Sequence, residues 1–414
     1  MNILKRISFF TAITIFTSAI SFLLLPILTK HLTPEDYGKL AIFNATTRFI
    51  IATLSLGSIN LLMVHLIDLK KEQFSAYLKS FFVLIAISTV IYTLLIIIFL
   101  LLFDSFFGIP IWLAILIPVI GLLVVLWETI SGIAMFTKNY KDYAILVLSK
   151  FFIEISCSLF LIVGIGLNWI GRVEGLIIGS IAVLIISYKY LRKENYLTGS
   201  ISKNKVLELT KQGSPLLFMG VSITVMNLSD RFYIEQMVGI SDTGIYNIGA
   251  VVGGIELIFV SAAIAVFRPM VYNLLKDKKS DLKIQFINLA VLSLTLLFLN
   301  LFTNLIFELL IDEAFHAAKP YVFPISLGFF FWGIANYYLS HLLYLKKNKI
   351  NALISVFSML LNLLLNYFLI LKYNTIGAAY ATAITYVFMA ISIWILYIFI
   401  LKKELLTSVN HSQK

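Results

Sequence analysis

Residues 215–272 read PLLFMGVSITVMNLSDRFYIEQMVGISDTGIYNIGAVVGGIELIFVSAAIAVFRPMVY. These are two apolar segments joined by a short turn, with Asp230, Arg231, Glu256 and Arg268 set among side chains fit for lipid. An ionisable group in hydrocarbon is costly, so it is normally held in a bundle interior or an aqueous cavity and used there. The stretch has a weaker counterpart near the N-terminus. An offset of 206 residues places Lys5 on Lys211, Ser8 on Ser214, Asp36 on Asp242, Gly38 on Gly244 and Ile42 on Ile248 without a gap. Half of the 414-residue chain is 207, so a duplicated unit is the simplest account. A duplicated membrane unit is expected to place its working site between the copies.

Composition supports a bilayer. Hydrophobic residues make up 60% and charged residues only 13%, and the mean hydropathy is +0.97, far from soluble globular values. The net charge of +11 is therefore read by position along the membrane segments, not as a sign of nucleic acid, which is excluded as a partner. A lone cysteine, Cys157, lies in an apolar run and rules out a disulfide within the chain. Residues 1–6 and the apolar run behind them resemble a leader. The run is too long for one and lacks a small-residue cleavage site, so it is read as the first spanning helix.

Twelve apolar runs approach the roughly 20 residues a spanning helix needs: 8–29, 39–66, 80–103, 110–137, 143–167, 174–190, 214–238, 244–273, 284–309, 321–345, 351–371 and 376–401. Basic residues fall on alternate sides of these runs. One side holds the clusters around Lys70, Lys138, Lys189, Lys203, Lys276, Lys346 and Lys402; the other holds only Lys30, Lys39, Arg172, Lys319 and Lys372. That asymmetry places both termini in the cytoplasm. The basic segment 190–212 reads as a linker between two six-helix lobes, 1–200 and 201–414, in parallel orientation because six is even. Ser214 and Pro215 look like a helix entry, with Ser as cap and Pro in the first turn. The acidic corners before Gly38 and Gly244 read as structural turns, the glycine permitting a tight backbone. The expected fold is an all-α polytopic membrane protein of about twelve transmembrane helices, two parallel six-helix lobes around a central cavity.

Charges within the runs supply the candidate site. Arg48 lies about 15 Å beyond Gly38 along a helix, near mid-membrane. Arg48, Lys150, Arg231 and Arg268 are the cationic candidates, and Asp230, Glu256, Glu128 and Glu154 the acidic cavity or coupling candidates. Lys150 and Glu154 sit four apart on one helical face, a spacing that serves mutual neutralisation as well as function. Asp230 and Arg231 are neighbours that point in different directions on a helix, which predicts different partners. Arg268 is close enough to the cytoplasmic end to snorkel. Arg48 maps onto Gly254, two positions from Glu256, so those two groups should sit about 200° apart around equivalent helices. Either one turns to a neighbouring helix or the lobes are asymmetric. Gly220, Gly249, Gly253, Gly254 and Pro26 mark bends or close approaches of helices. His65 and His341 read as satisfied polar positions near helix ends. No Walker loop, zinc spacing, dinucleotide fingerprint or nucleophile elbow occurs, so no catalytic residue, metal or cofactor is expected.

Residues 25–38 (LPILTKHLTPEDYG) and 230–246 (DRFYIEQMVGISDTGIY), the latter followed by a helix ending Arg268-Pro269, resemble the polysaccharide transporters of the multidrug/oligosaccharidyl-lipid/polysaccharide exporter superfamily. The closest likeness is to Wzx-type flippases for O-antigen and related lipid-linked oligosaccharides. The resemblance implies two six-helix lobes, alternating access, and movement of an undecaprenyl-pyrophosphate-linked glycan from the cytoplasmic to the outer leaflet of a bacterial inner membrane. Membrane lipids and other glycan-assembly membrane proteins are the further partners it implies; coupling to an ion gradient stays open. Burying such a headgroup in hydrocarbon unaided is prohibitive, whereas Arg offers bidentate hydrogen bonds to phosphate. Thr14, Thr17, Ser18, Ser21, Ser222, Thr224 and Asn227 are candidates to line a sugar path, or to bond their own helix backbones. Three other readings stand beside this one. A drug or cation exporter would want an anionic cavity, a membrane glycosyltransferase or glycan polymerase would want a larger outer loop, and a scaffold would not need Arg48 at mid-membrane.

Overall fold

A computed structural model describes residues 24–411 apart from 104–105, 278 and 346–347, together with positions 9, 13, 16, 17, 20 and 22. Every extended regular element among them is a helix, and the single β-bridge, Phe106 with Ile109, closes a turn. Lipid leaves backbone N–H and C=O groups no solvent partner, and a helix satisfies them within itself. The helices are α1 (Leu25–His31), α2 (Pro34–Leu54), α3 (Ser58–Asp68), α4 (Lys71–Phe103), α5 (Ile111–Phe136), α6 (Tyr140–Leu159), α7 (Trp169–Lys193), α8 (Lys203–Met237), α9 (Ile240–Gly253), α10 (Ile255–Lys276), α11 (Leu282–Leu310), α12 (Lys319–Tyr344), α13 (Asn348–Tyr373) and α14 (Thr375–His411).

Among the described residues nine helices are long and apolar enough to cross a membrane, or ten if α2 and α3, bent by 47° at their junction, form one span. The chain is a multi-pass, all-α membrane protein. Of the twelve expected runs, the first, 8–29, lies partly outside the described residues. The seventh falls inside α8, which is not among the nine. α2 starts at Pro34 and α9 at Ile240, 206 residues apart, the offset expected of a duplicated unit. Each is interrupted, α2 at Leu56 and Gly57 and α9 at Gly254.

Two expectations about helix ends are corrected. Gly38 and Gly244 lie inside α2 and α9, not in turns. The corner of the first copy is made by Thr33, whose hydroxyl accepts from the Asp36 N–H while the Asp36 carboxylate accepts from the Thr33 N–H, a capping box that satisfies two otherwise orphan donors. The corner of the second copy uses Gly239 at φ 144°. Ser214-Pro215 is not a helix entry either, because α8 starts at Lys203 and runs through it. The entry capping there would have supplied is unnecessary in a continuous helix.

The chain divides into two compact units, Met1–Glu235 and Gln236–Lys414. In the first, the basic segment expected as a linker is bonded down. Ser75 Oγ donates to the Tyr196 carbonyl at 2.7 Å and accepts from Gly199 N–H at 2.7 Å. Ser58 Oγ donates to the Leu209 carbonyl at 2.8 Å, and Tyr77 OH to Glu208 at 2.7 Å. These bonds carry the first part of α8 with the first unit, so the division falls within α8. Two glycines make the approach possible. Gly57, at φ 74°, faces the Gly213 carbonyl, and a Cβ on Gly213 would lie 2.6 Å from both the Leu56 carbonyl and Ser58 Oγ.

In the second unit, α9 and α10 pack on α12. Gly249 meets Tyr321 and Gly253 meets Ile325 at distances that exclude a larger side chain, and Val260, Ala263 and Leu292 form a buried core of α10 and α11. Gly220, also expected at a close approach, faces open space.

Gly213→Ala should therefore cost about 1–3 kcal/mol, the usual penalty of overpacking, whereas Gly220→Ala should be neutral or slightly stabilising. Thermal unfolding midpoints of the two purified variants check this, and equal midpoints would contradict the α8 contact.

Candidate functional site

The first unit strings five charges across four helices. Arg48 leaves α2 about 20 Å along the helix from Pro34, at 1.5 Å per residue. Its Nη1 lies 3.7 Å from Glu128 Oε1 of α5, too long for a hydrogen bond, and its side chain is 65% exposed against 34% for Glu128. Lys150 of α6 acts electrostatically on Glu128, and its ammonium stands 4.7 Å over the ring of Trp127, the residue before Glu128. Lys150 also donates to Glu154 Oε2 at 2.6 Å. The second oxygen of Glu154 accepts from Arg172 of α7 at 2.8 Å, and Arg172 reaches Ser158 Oγ at 2.9 Å. The order is Arg48, Glu128, Lys150, Glu154, Arg172: three cations and two carboxylates.

The sequence builds this row with small residues. Gly171, Gly175 and Gly179 recur every fourth position on α7, the spacing that lets membrane helices approach closely. A Cβ on Gly175 would sit 2.8 Å from the Glu154 carbonyl, and one on Gly179 2.8 Å from Glu154 Cβ. The α6 backbone therefore lies directly on α7, which brings Arg172 within reach of Glu154. Trp127 Nε1 donates to the Leu146 carbonyl at 3.1 Å and fixes α5 to α6. Arg172 is the member that the sequence reading missed as a site residue, having counted it among outer-side charges. The glycine stripe beside it was the available signal.

Lys150 and Glu154 thus pair as their spacing allowed, but Glu154 serves two cations. Asp230 and Arg231, expected to point to different partners, bond each other. Arg231 Nη1 donates to Asp230 Oδ1 at 2.6 Å and to the Asn227 carbonyl at 2.7 Å. The long Arg side chain folds back along its own helix and overrides the 100° between successive Cβ directions. On the same α2 stretch as Arg48, Ala45, Thr46 and Phe49 line an apolar cavity of about 290 Å³, closed by Phe106, Phe107 and, from α8, Thr224, Val225, Leu228, Ser229 and Phe232.

In the second unit the candidates are separate. Arg268 does not simply snorkel: its Nε donates to Ser340 Oγ and its Nη2 to Asn336 Oδ1, both at 3.2 Å, so α12 holds the guanidinium with neutral groups. Glu256 is fully buried and accepts from Thr295 Oγ1 at 3.0 Å, while its Oε2 takes no hydrogen bond among the described residues. Arg48 and Glu256, two positions apart in the duplicated register, each meet a neighbouring helix: Arg48 approaches Glu128 of α5 and Glu256 accepts from Thr295 of α11. Asp281, in the turn before α11, accepts from Tyr337 OH at 2.6 Å and pairs with His341 Nε2 at 2.9 Å. Burial opposes its charge, but the bonds from His341 and Tyr337 outweigh that and hold its carboxyl below the usual range. His341 is bonded through Nε2, while its Nδ1, like the Nε2 of His65, takes no hydrogen bond among the described residues, so neither is fully satisfied as expected. His65 stacks near Tyr77, with ring centroids 4.4 Å apart. No group of His, Cys, Asp and Glu side chains among the described residues is arranged to hold a metal.

Of the polar residues expected along a sugar path, Thr17, Ser222, Thr224 and Asn227 bond the carbonyl four residues earlier in their own helices, at 2.8–3.0 Å. Thr14, Ser18 and Ser21 lie outside the described residues.

Residues 3–275 match the family model described as polysaccharide biosynthesis protein. A Shigella flexneri protein named "Putative O-antigen transporter" is 27% identical over 238 residues, 54% of this chain and 55% of that protein, so the match spans about half the length of this curated relative. Among solved structures, an inward-facing multidrug resistance MATE family transporter of the MOP superfamily superposes with a TM-score of 0.69 at 15% identity, covering 92% of this chain and 94% of that one. An outward-facing one gives 0.62 at 13% identity, with 96% of each chain covered. At such identities the shared property is the fold.

The row also predicts where stability resides. Glu154→Gln leaves Lys150 and Arg172 around a neutral amide inside the helix bundle and should cost about 3–5 kcal/mol, the penalty for breaking a buried pair. Glu35→Gln removes only the exposed Lys39–Glu35 pair and should cost less than about 1 kcal/mol. Unfolding midpoints of the two variants compare them directly.

Proposed function

Because the chain belongs to the polysaccharide biosynthesis protein family, we propose that it is a flippase for a polyprenyl-pyrophosphate-linked oligosaccharide, an O-antigen or similar surface-glycan unit. It carries this unit from the cytoplasmic to the outer leaflet of a bacterial inner membrane by alternating access of its two repeats. The observation that carries the reading is Arg48. It is the exposed end of a charge row with one more cation than carboxylate, and among the described residues its ion contact is a long one to Glu128. Such a guanidinium is suited to a phosphate, for which it has fork geometry. The apolar cavity on the same stretch of α2 gives this region both an anion-binding and a chain-like apolar character, as an amphiphilic substrate demands. The O-antigen transporter name of the Shigella flexneri relative agrees with the glycan class. Transport needs no covalent step, and no enzymatic role is assigned.

The basic clusters place both termini and the 190–212 segment in the cytoplasm under this reading. A reporter active only in the cytoplasm should therefore work when fused after the last residue or within residues 195–205, and periplasmic activity at either site would reverse the orientation. Arg48→Ala should abolish glycan export with normal protein level in the membrane. Arg48→Lys should restore only part of it, since the charge returns without the fork. Leaflet-resolved analysis of lipid-linked oligosaccharide reads both variants: accumulation in the cytoplasmic leaflet is the expected result, and full export by Arg48→Ala would remove Arg48 from the mechanism.

A further inference from the structure

The five-charge row has an odd number of members, and that parity has a physical consequence. In a low-dielectric bundle each charge needs an opposite partner. Among the described residues Arg48, Lys150 and Arg172 pair with two carboxylates, Glu128 and Glu154, so one cation is under-compensated. The distances show how the shortage is distributed. Glu154 takes both Lys150 and Arg172 at 2.6 and 2.8 Å, while Glu128 is left on Arg48 at 3.7 Å. The weakest contact is therefore at the exposed end, where a ligand can arrive, and the tightest ones are at the enclosed end.

We infer that an anionic pyrophosphate group binding to Arg48 displaces Glu128 and shifts the ion pairing by one place along the row, from Arg48–Glu128 to Lys150–Glu128, leaving Glu154 to Arg172. Three cations then meet three anions: Arg48 with the ligand phosphate, Lys150 with Glu128, and Arg172 with Glu154. Glu128 acts in this scheme as an internal stand-in for the phosphate and as the group that reports its arrival to α6. Lys150 can make the change without losing its position in the fold. It already lies against the residue preceding Glu128, over the Trp127 ring, and Glu154 retains a second cation when Lys150 turns away. Binding at α2 is thereby transmitted through α5 to the packed pair of α6 and α7 by side-chain exchange alone. Glu128 is a positioning residue here: it does not hold the ligand but sets the affinity of Arg48 for it.

This rests on the lipid-pyrophosphate reading above, and its test separates the two. The indole of Trp127 is the reporter, because the ammonium over its ring moves when the pairing shifts. Purified full-length protein in nanodiscs is titrated with farnesyl pyrophosphate, with binding measured by retention of radiolabelled probe and, separately, by intrinsic fluorescence. The expected result is a saturable emission change in the wild-type protein that is absent in Trp127→Phe. Farnesol should produce no change. Glu128→Gln should bind the probe about two- to fivefold more tightly, the size of an exposed ion pair removed from competition, with no Trp127 response. Binding without a Trp127 response, a response to farnesol, or an unchanged response or weaker binding in Glu128→Gln would each overturn the pairing shift while leaving the pyrophosphate ligand in place. No binding of the probe to the wild-type protein would overturn both. An equal response to inorganic pyrophosphate would support the shift and assign its trigger to free pyrophosphate instead of a lipid-linked one. Should Glu128→Gln fail to fold, Lys150→Met serves in its place: it removes the moving ammonium and should bind the probe without the emission change, and a full change in this variant would overturn the shift.

Discussion

A charge in hydrocarbon must find an opposite charge or leave, and the first unit of this protein is arranged around that requirement. Glu154 is the group on which it turns. With Lys150 on one oxygen and Arg172 on the other, it keeps two cations inside the bundle that neither α6 nor α7 could hold alone. The glycine stripe of α7 exists at the same contact: only hydrogens at those positions let the helices come close enough for Arg172 to reach. Packing and electrostatics are here one constraint, because a larger residue at Gly175 or Gly179 would separate the charges as well as the backbones.

The same constraint explains why the exposed end of the row is the functional end. The ion contacts are short where the bundle is closed and long at Arg48. A guanidinium that is well paired has little to offer a ligand, whereas one held loosely by a carboxylate can exchange that partner for a phosphate at small expense. The second unit solves its charges differently. Arg268 is bound by neutral side chains, Glu256 is enclosed with a single hydroxyl donor, and Asp281 is held by His341 and Tyr337. The two copies of the repeat therefore share helix starts but not charge chemistry, consistent with Arg48 lying opposite a glycine in the duplicated register.

Much of this was legible in the residues. Hydropathy established an all-helical membrane chain, because that signal is local and periodic, and the starts of α2 at Pro34 and α9 at Ile240 differ by the 206 residues of the expected offset. Lys150 with Glu154 was legible from a spacing of four, which a helix converts into contact. The failures have a common cause. The bond from Arg231 to Asp230 was not legible from Cβ direction, which a side chain as long as Arg can defeat. The turn glycines and the Ser214-Pro215 entry were motifs read without knowing where the helix began, and start points depend on what the neighbouring segments bond.

The sequence alone determined the membrane class, the helical fold and the inventory of charges within the apolar runs, since composition and periodicity are properties of the chain by itself. Only the tertiary structure decided which charges meet. Arg172 and Glu154 are 18 positions apart, and Arg48 and Glu128 are 80 positions apart on helices with another two between them. No local pattern specifies such contacts, because they are set by which helices pack together and how closely their small residues let them approach.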